Sequence, residues 1–287
     1  MSRIAYVNGR YVPHRDAAVH IEDRGYQFAD GVYEVCEVYG GRLVDVTRHL
    51  DRLDRSLSEL SIRLPMGRAA LTLVMREMVR RNRVRDGMVY LQVTRGVARR
   101  DHVFPSAEVP PALVLTARAG DPAAAAKTAA AGVGVITVPD NRWDRVDIKS
   151  VGLLPNVLAK QQAKQAGAKE AWFVDRDGNV TEGGSTNAWI VTADGRLVTR
   201  PAGRGILKGI TRSVVLDVAA ADGLAVEERT FTVAEAKAAR EAFITAATTL
   251  VMPVVRIDGD PVGDGRPGPV ATALRQRFHA LAELVAV

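Results

Sequence analysis

Cysteine is almost absent: the chain holds one, Cys36, so no internal disulfide can form. Within the apolar stretch VYEVCEVYG it reads as a small buried hydrophobe. Long hydrophobic runs are missing too. No segment approaches the roughly 18 consecutive apolar residues that span a bilayer. The opening MSRIAYVNGRYVP has no apolar signal core. These absences predict a protein of the reducing cytoplasm with no membrane part. Lysine is scarce as well: of 39 basic residues seven are lysines, and none precedes Lys127. Arginine stays protonated and cannot act as a nucleophile, whereas a desolvated lysine amine can. Each lysine is therefore a candidate for amine chemistry. Lys149 stands out, just ahead of the Gly152–Pro155 break in VDIKSVGLLPNVLAK.

What is present fits a globular enzyme-sized chain. Its 287 residues suggest one large domain or two ordinary ones, and 47% apolar content can fill a core. The net charge of +6 and pI near 9.7 raise the question of nucleic acid. The densest basic cluster is Arg80, Arg81, Arg83 and Arg85 in VRRNRVRDG. It carries no aromatic interleaving and falls where a helix ends, so it reads as a solvated helix terminus.

Periodicity places the elements. IAYVNGRYVP alternates around Asn8-Gly9, a strong hairpin signal, and YEVCEVYGGRLVDV repeats the pattern at Gly40-Gly41. Leu50, Leu53, Leu57 and Leu60 mark one helical face, with Thr47 the expected N-cap. GRAALTLVMREMVRRN reads as a second helix, and GMVYLQVTRG and PALVLTAR as strands. The low-complexity AGDPAAAAKTAAAG predicts a linker or a loose helical turn. Domain boundaries are accordingly expected at 1–120, 121–131 (linker) and 132–287. Beyond the linker come a strand, a helix closed by Gly167, hairpins at Asp177-Gly178 and Asp194-Gly195, and a helix closed by Gly223. A short helix follows, with Thr232 and Glu235 spaced as a capping box, then a strand-rich stretch and a final helix from about Gly268. The fold class is α+β.

Four features could carry chemistry. Lys149 follows a short strand end. Glu182 lies in TEGGSTN, flanked by glycines. LKGITR, Leu207 to Arg212, sets Ile210 and Thr211 at a helix N-terminus, where free N–H groups and the helix dipole suit a phosphate. RHLDRL sets His49 and Arg52 three apart on one helix, facing away from the leucines. Singly, each is more often a surface lysine, a solvated acid, a plain cap or an exposed helix face. Together they are the parts that hold an aldehyde cofactor with a phosphate and a basic ring nitrogen.

EDRGYQFADGVYEV, HLDRL, DIKS…NVLAKQQA, TEGGSTN and LKGITR, in that order across nearly the whole chain, resemble the motifs of fold-type IV pyridoxal-phosphate transaminases, the class IV aminotransferases. The resemblance implies a small N-terminal α/β sandwich-like domain and a larger C-terminal pseudo-barrel carrying the cofactor lysine, with the cofactor between them. It implies that Lys149 forms a Schiff base with pyridoxal 5'-phosphate and that Glu182 pairs with the pyridine nitrogen. It also implies that Arg52, with Leu207, Ile210 and Thr211, binds cofactor. The roles suit the chemistry: an amine must lose its proton to attack an aldehyde, and a carboxylate keeps the ring nitrogen protonated as an electron sink.

RRDHVFP discriminates within the family. Arg100-Asp101-His102 resembles the Arg-x-His loop of D-amino acid transaminases, which works with a tyrosine that maps onto Tyr33 to bind the substrate α-carboxylate. In those enzymes the loop comes from the neighbouring subunit of a homodimer. The expected activity is transfer from D-alanine, D-glutamate or D-aspartate to a 2-oxo acid. Branched-chain L-amino acid transaminase, (R)-amine transaminase, aminodeoxychorismate lyase and a basic binding protein that has kept only the fold are the alternatives. Ala246 and Ala247 depart from the pattern by standing where hydroxyl residues are usual, so Thr248, which follows, is the cofactor contact expected there. Gly184 stands where serine is common.

Overall fold

The computed structural model describes residues 3–287. They form two compact units. One takes the chain up to Asp121, together with Ile148–Gly152 and Glu283–Val287; the other takes Pro122–Asp147 and Leu153–Ala282.

The first unit is an antiparallel sheet with helices packed on it. Its strands are β1 (Ile4–Val7), β2 (Arg10–Pro13), β3 (Gly31–Tyr39), β4 (Arg42–Val44), β5 (Gly87–Thr94) and β6 (Ala112–Ala119). A short C-terminal strand, Leu284–Ala286, adds to β4, so the chain ends on a strand and not on the expected helix. The β1–β2 and β3–β4 turns form at the expected dipeptides. Asn8 and Gly9 both take positive φ, as do Gly40 and Gly41, which is the twist a two-residue hairpin needs. Helices α1 (Arg24–Phe28), α2 (Val46–Glu59) and α3 (Arg68–Asn82) complete the unit. Leu50, Leu53 and Leu57 of α2 and Leu71, Met75 and Met78 of α3 share one core with Val89, Leu91, Leu113 and Leu115 of the sheet. Truncating one such leucine to alanine costs about 2–5 kcal/mol. Asp45, not Thr47, is the N-cap of α2. Thr47 lies one residue inside the helix and is held by Glu283, whose carboxylate accepts from its N–H at 3.0 Å and its hydroxyl at 2.7 Å.

The second unit begins in the stretch expected to be a linker or a loose helical turn. Residues 122–131 form helix α4 (Pro122–Ala131), because an alanine run has high helix propensity once one side can pack. Strands β7 (Val133–Pro139), β8 (Glu170–Val174), β9 (Val180–Gly183), β10 (Asn187–Val191), β11 (Leu197–Thr199), β12 (Val226–Glu228), β13 (Glu241–Ala246) and β14 (Leu250–Ile257) pair in the order β12-β11-β10-β13-β14-β7-β8-β9; β15 (Asp260–Pro261) pairs with β14. Edge strand β9 is joined by three residues to β10, third from the opposite edge. So short a connection requires the sheet to curl toward closure. Helices α5 (Leu154–Gln165), α6 (Ile210–Ala221), α7 (Val233–Lys237) and α8 (Pro269–Leu281) belong to this unit. β8, β10 and β13 are buried along almost their whole length, as strands covered on both faces must be. At α7 the capping box is half made. Thr232 accepts from Glu235 N–H, while the Glu235 carboxylate binds Arg229. Among the described residues no helix is long and apolar enough to cross a membrane.

Candidate active site

The expected site residues fall in both units. In the first, Lys149 lies in an irregular segment between a turn and an isolated bridge rather than at a strand end. Ile148 packs into the core, Ser150 bridges Val32, and Lys149 O accepts from Tyr33 N–H at 3.0 Å. The Lys149 N–H donates to Ser56 Oγ at 3.3 Å. The lysine and the chain after it are thus stitched to β3 and its N–H to α2, which sets the direction of its side chain. The ammonium nitrogen lies 4.2 Å from the centre of the Tyr33 ring, and that ring stacks on Tyr90 at 5.7 Å. The Tyr90 hydroxyl donates to Gln92 Oε1 at 2.6 Å; burial and the nearby Tyr33 push its pKa up to about 12.

Arg52 is not on an open helix face. β3 alternates so that Val32, Glu34, Cys36 and Val38 point into the unit. An acid on that face needs a buried partner. Glu34, 1% exposed, has two. Arg52 Nε and Nη2 donate to its two oxygens at 2.7 and 2.8 Å, and His49 Nδ1 lies 2.7 Å from Oε2. A carboxylate only accepts, so His49 carries its proton on Nδ1. Burial pushes the Glu34 carboxyl up, but the charge and hydrogen bonds of Arg52, with His49, overcome it and hold it far below the usual range. Glu34 was missed in the sequence, although an acid at a core register of an alternating strand was the signal. His49, expected on an outward face, is buried for the same reason.

Arg100 and His102 are exposed on the loop after β5. Both rest against the ring of Phe28.

In the second unit Glu182 lies on β9, buried. Its Oε1 accepts from Arg142 Nη1 at 2.5 Å; its Oε2 accepts from Asn187 Nδ2 at 3.0 Å and from Leu207 N–H at 3.1 Å. Arg142, whose side chain is 4% exposed, is itself clamped by Asp140 through Nε at 2.9 Å and Nη2 at 2.7 Å. Burial opposes the charge of Arg142, but the Asp140 hydrogen bond and the negative charge of Glu182 outweigh it, so its pKa is raised. Burial likewise pushes Asp140 up, and Arg142 reverses this to a lowered pKa. Little in the irregular DNRWDR stretch marks Arg142 in advance, because beyond Asp140 its partners, Thr181 and Glu182, are 39 and 40 residues away.

Leu207 contributes through its backbone: besides its N–H on Glu182, its carbonyl accepts from Asn187 at 2.9 Å. Two residues later comes Gly209, the N-cap of α6, which offers no side-chain acceptor to the first N–H groups. Those of Ile210 and Thr211 have no intrahelical acceptor, as at any helix start. A Cβ at Gly209 would lie 2.1 Å from Asn187 Oδ1, so only glycine lets the helix start this close to the Asn187–Glu182 pair. At Gly184 a Cβ would meet Glu170 Oε1 at 3.0 Å and the Lys160 stem at 3.1 Å; the lysine stem takes up the space a serine would need. Ala246 ends β13 and Ala247 opens the turn after it, both half-buried; Thr248 is exposed, and the Thr249 hydroxyl is buried without a partner.

Each unit by itself offers groups of the kind a phosphorylated pyridine cofactor requires: in the second a buried carboxyl and an uncapped helix start, in the first a lysine amine on an aromatic face. The chain belongs to the amino-transferase class IV family, whose profile matches residues 31–257. Pyridoxal 5'-phosphate is the cofactor of this class. Among curated relatives, the chain is 41% identical over 278 residues to a D-alanine aminotransferase of Staphylococcus haemolyticus, covering 97% of each chain. It is 42% identical over 273 residues to a D-alanine aminotransferase of Listeria monocytogenes, covering 95% of this chain and 93% of that one. Among solved structures, a T.th. branched-chain amino acid aminotransferase with pyridoxamine 5'-phosphate superposes with a TM-score of 0.89 at 26% identity, over 99% of this chain and 98% of that one. The Escherichia coli branched-chain enzyme, at 24% identity and a TM-score of 0.88 over 98% of this chain and 95% of that one, shares the fold.

Proposed function

We propose that this class IV aminotransferase moves the amino group of a D-amino acid to a 2-oxo acid by a ping-pong route. The 40–42% identity across 95–97% of the chain to proteins named D-alanine aminotransferase carries the reading. D-alanine is the first donor to test, with D-glutamate and D-aspartate next, and pyruvate or 2-oxoglutarate as acceptors. When bound, pyridoxal 5'-phosphate supplies an aldehyde that takes up the amino group and a ring that withdraws electrons.

The residues divide the work. Lys149 holds the cofactor through its amine and, once released, carries the proton to and from the substrate Cα. Glu182 accepts from the protonated ring nitrogen, and its hydrogen bonds from Arg142 and Asn187 hold the carboxylate in place for this role. Arg52 and the N–H groups of Ile210 and Thr211 bind the phosphate, with Leu207 bracing Glu182 and Thr248 near the phosphate. Tyr33, Arg100 and His102 bind the α-carboxylate. Arg100 and His102 serve the neighbouring subunit of a homodimer, in keeping with their exposure on the single chain. The lysine works with the first unit's residues although it follows the 121–131 boundary, and the place of action is the cytoplasm.

The test is a panel of D- and L-amino acids and (R)-amines with both acceptors. Turnover confined to L-leucine, L-isoleucine and L-valine would replace this reading by the branched-chain one, which the superposition on the T.th. enzyme keeps in view.

A further inference from the structure

Arg100 and His102 sit on an exposed loop, yet both are seated. The Arg100 guanidinium carbon lies 5.1 Å from the centre of the Phe28 ring, and the His102 ring centre lies 5.5 Å from it. A third group uses the same ring: the Arg24 guanidinium, at 4.8 Å.

Arg24 is 3% exposed, and its partners explain why it can be buried. Its Nε donates to Asp30 Oδ2 at 2.8 Å. Its Nη1 donates at 2.6 Å to the carbonyl of Asp101, the residue between Arg100 and His102. Arg95 locks the same acid from the strand side, donating to its two oxygens from Nε at 2.8 Å and Nη2 at 2.9 Å. Backbone pairing continues the seam: Arg24 N–H donates to Gly96 O at 2.9 Å and Ala98 N–H to Glu22 O at 3.3 Å. A Cβ at Gly25 would lie 2.2 Å from Thr94 Cγ2, so α1 packs directly on the end of β5. None of this is needed to stabilise a passive surface loop. Long cationic side chains on such a loop ordinarily keep their rotamer freedom, and binding then has to remove it.

We propose that Phe28 and Arg24 are positioning residues for substrate recognition: the ring sets the directions of Arg100 and His102, and Arg24 holds the backbone between them. The donors are then oriented for a carboxylate before substrate arrives. The proposal rests on the reading of Arg100 and His102 as the carboxylate clamp.

The experiment compares kcat/KM for D-alanine, at saturating cofactor, in four variants: Phe28→Leu, Phe28→Tyr, a clampless Arg100→Ala/His102→Ala protein, and the clampless protein carrying Phe28→Leu as well. Phe28→Leu keeps apolar bulk and removes the ring. It should lose about tenfold, mainly through KM, between the worth of an exposed and of a desolvated aromatic–cation contact. Phe28→Tyr should recover most of that loss. In the clampless background Phe28→Leu should cost less than about twofold, because a group that acts through another has nothing left to position. Wild-type kinetics for Phe28→Leu, or the same tenfold loss in the clampless background, would overturn the positioning role. The reading beneath it fails separately, by unchanged D-alanine kinetics in the clampless protein itself, and the proposal then falls with it.

Discussion

Glu34 grips Arg52 with both carboxylate oxygens, 2.7 Å from Nε and 2.8 Å from Nη2. The acid comes from a strand and the arginine from the helix packed over it, so the guanidinium has one direction only. Arg52→Ala should weaken retention of pyridoxal phosphate, and added cofactor should restore part of the activity. Glu34→Gln should do the same more mildly. Cofactor absorbance after gel filtration reads both.

The same pair gives a pH dependence. The folded carboxyl of Glu34 titrates below its unfolded counterpart. Its pairing therefore stabilises fully above the unfolded glutamate pKa of about 4.3, and the contribution is lost as pH falls through and below that value. The melting temperature should drop on acidification from pH 5 downward by this and similar pairs. Glu34→Gln should show a shallower acid limb, and an unchanged limb would mean that the pair is not formed in solution.

Lys149→Ala should abolish nearly all turnover, and Lys149→Arg should fail equally because a guanidinium stays charged. Borohydride reduction followed by peptide mapping should find the cofactor on Lys149. A label on Lys160 or Lys208 would refute the assignment.

Glu182→Gln should keep the cofactor but lose at least about a hundredfold in turnover, the range for a positioned acid–base group. Arg142→Met should behave differently. It strips the cation from buried Glu182 and half-buried Asp140, and breaking such a group costs about 3–5 kcal/mol. A large fall in melting temperature should accompany its loss of activity, whereas Glu182→Gln should melt near the parent.

Arg100→Ala should lose about ten- to a hundredfold in kcat/KM for D-amino acids, the worth of a charge-assisted contact of about 1.5–3 kcal/mol. Mixed with Lys149→Ala under conditions that exchange subunits, it should regain activity, since one hybrid site would hold both residues intact. Failure to complement would mean that each loop serves its own chain.

Local sequence alone was enough for the hairpins at Asn8-Gly9 and Gly40-Gly41, the leucine stripe of α2 and the glycine-closed helices α5 and α6. Each depends on interactions within a few residues: a positive φ, a turn of helix, a cap. The ordered motifs likewise made the family legible. Tertiary structure decided the partners of the charged side chains. Thr47 lost the cap to Asp45 and bonds Glu283, 236 residues away. His49 turned inward to Glu34, and Arg142 found Glu182 across 40 residues. Burial determined the last two outcomes. A charge taken from water must find its opposite wherever the fold brings one, and sequence distance does not enter that balance.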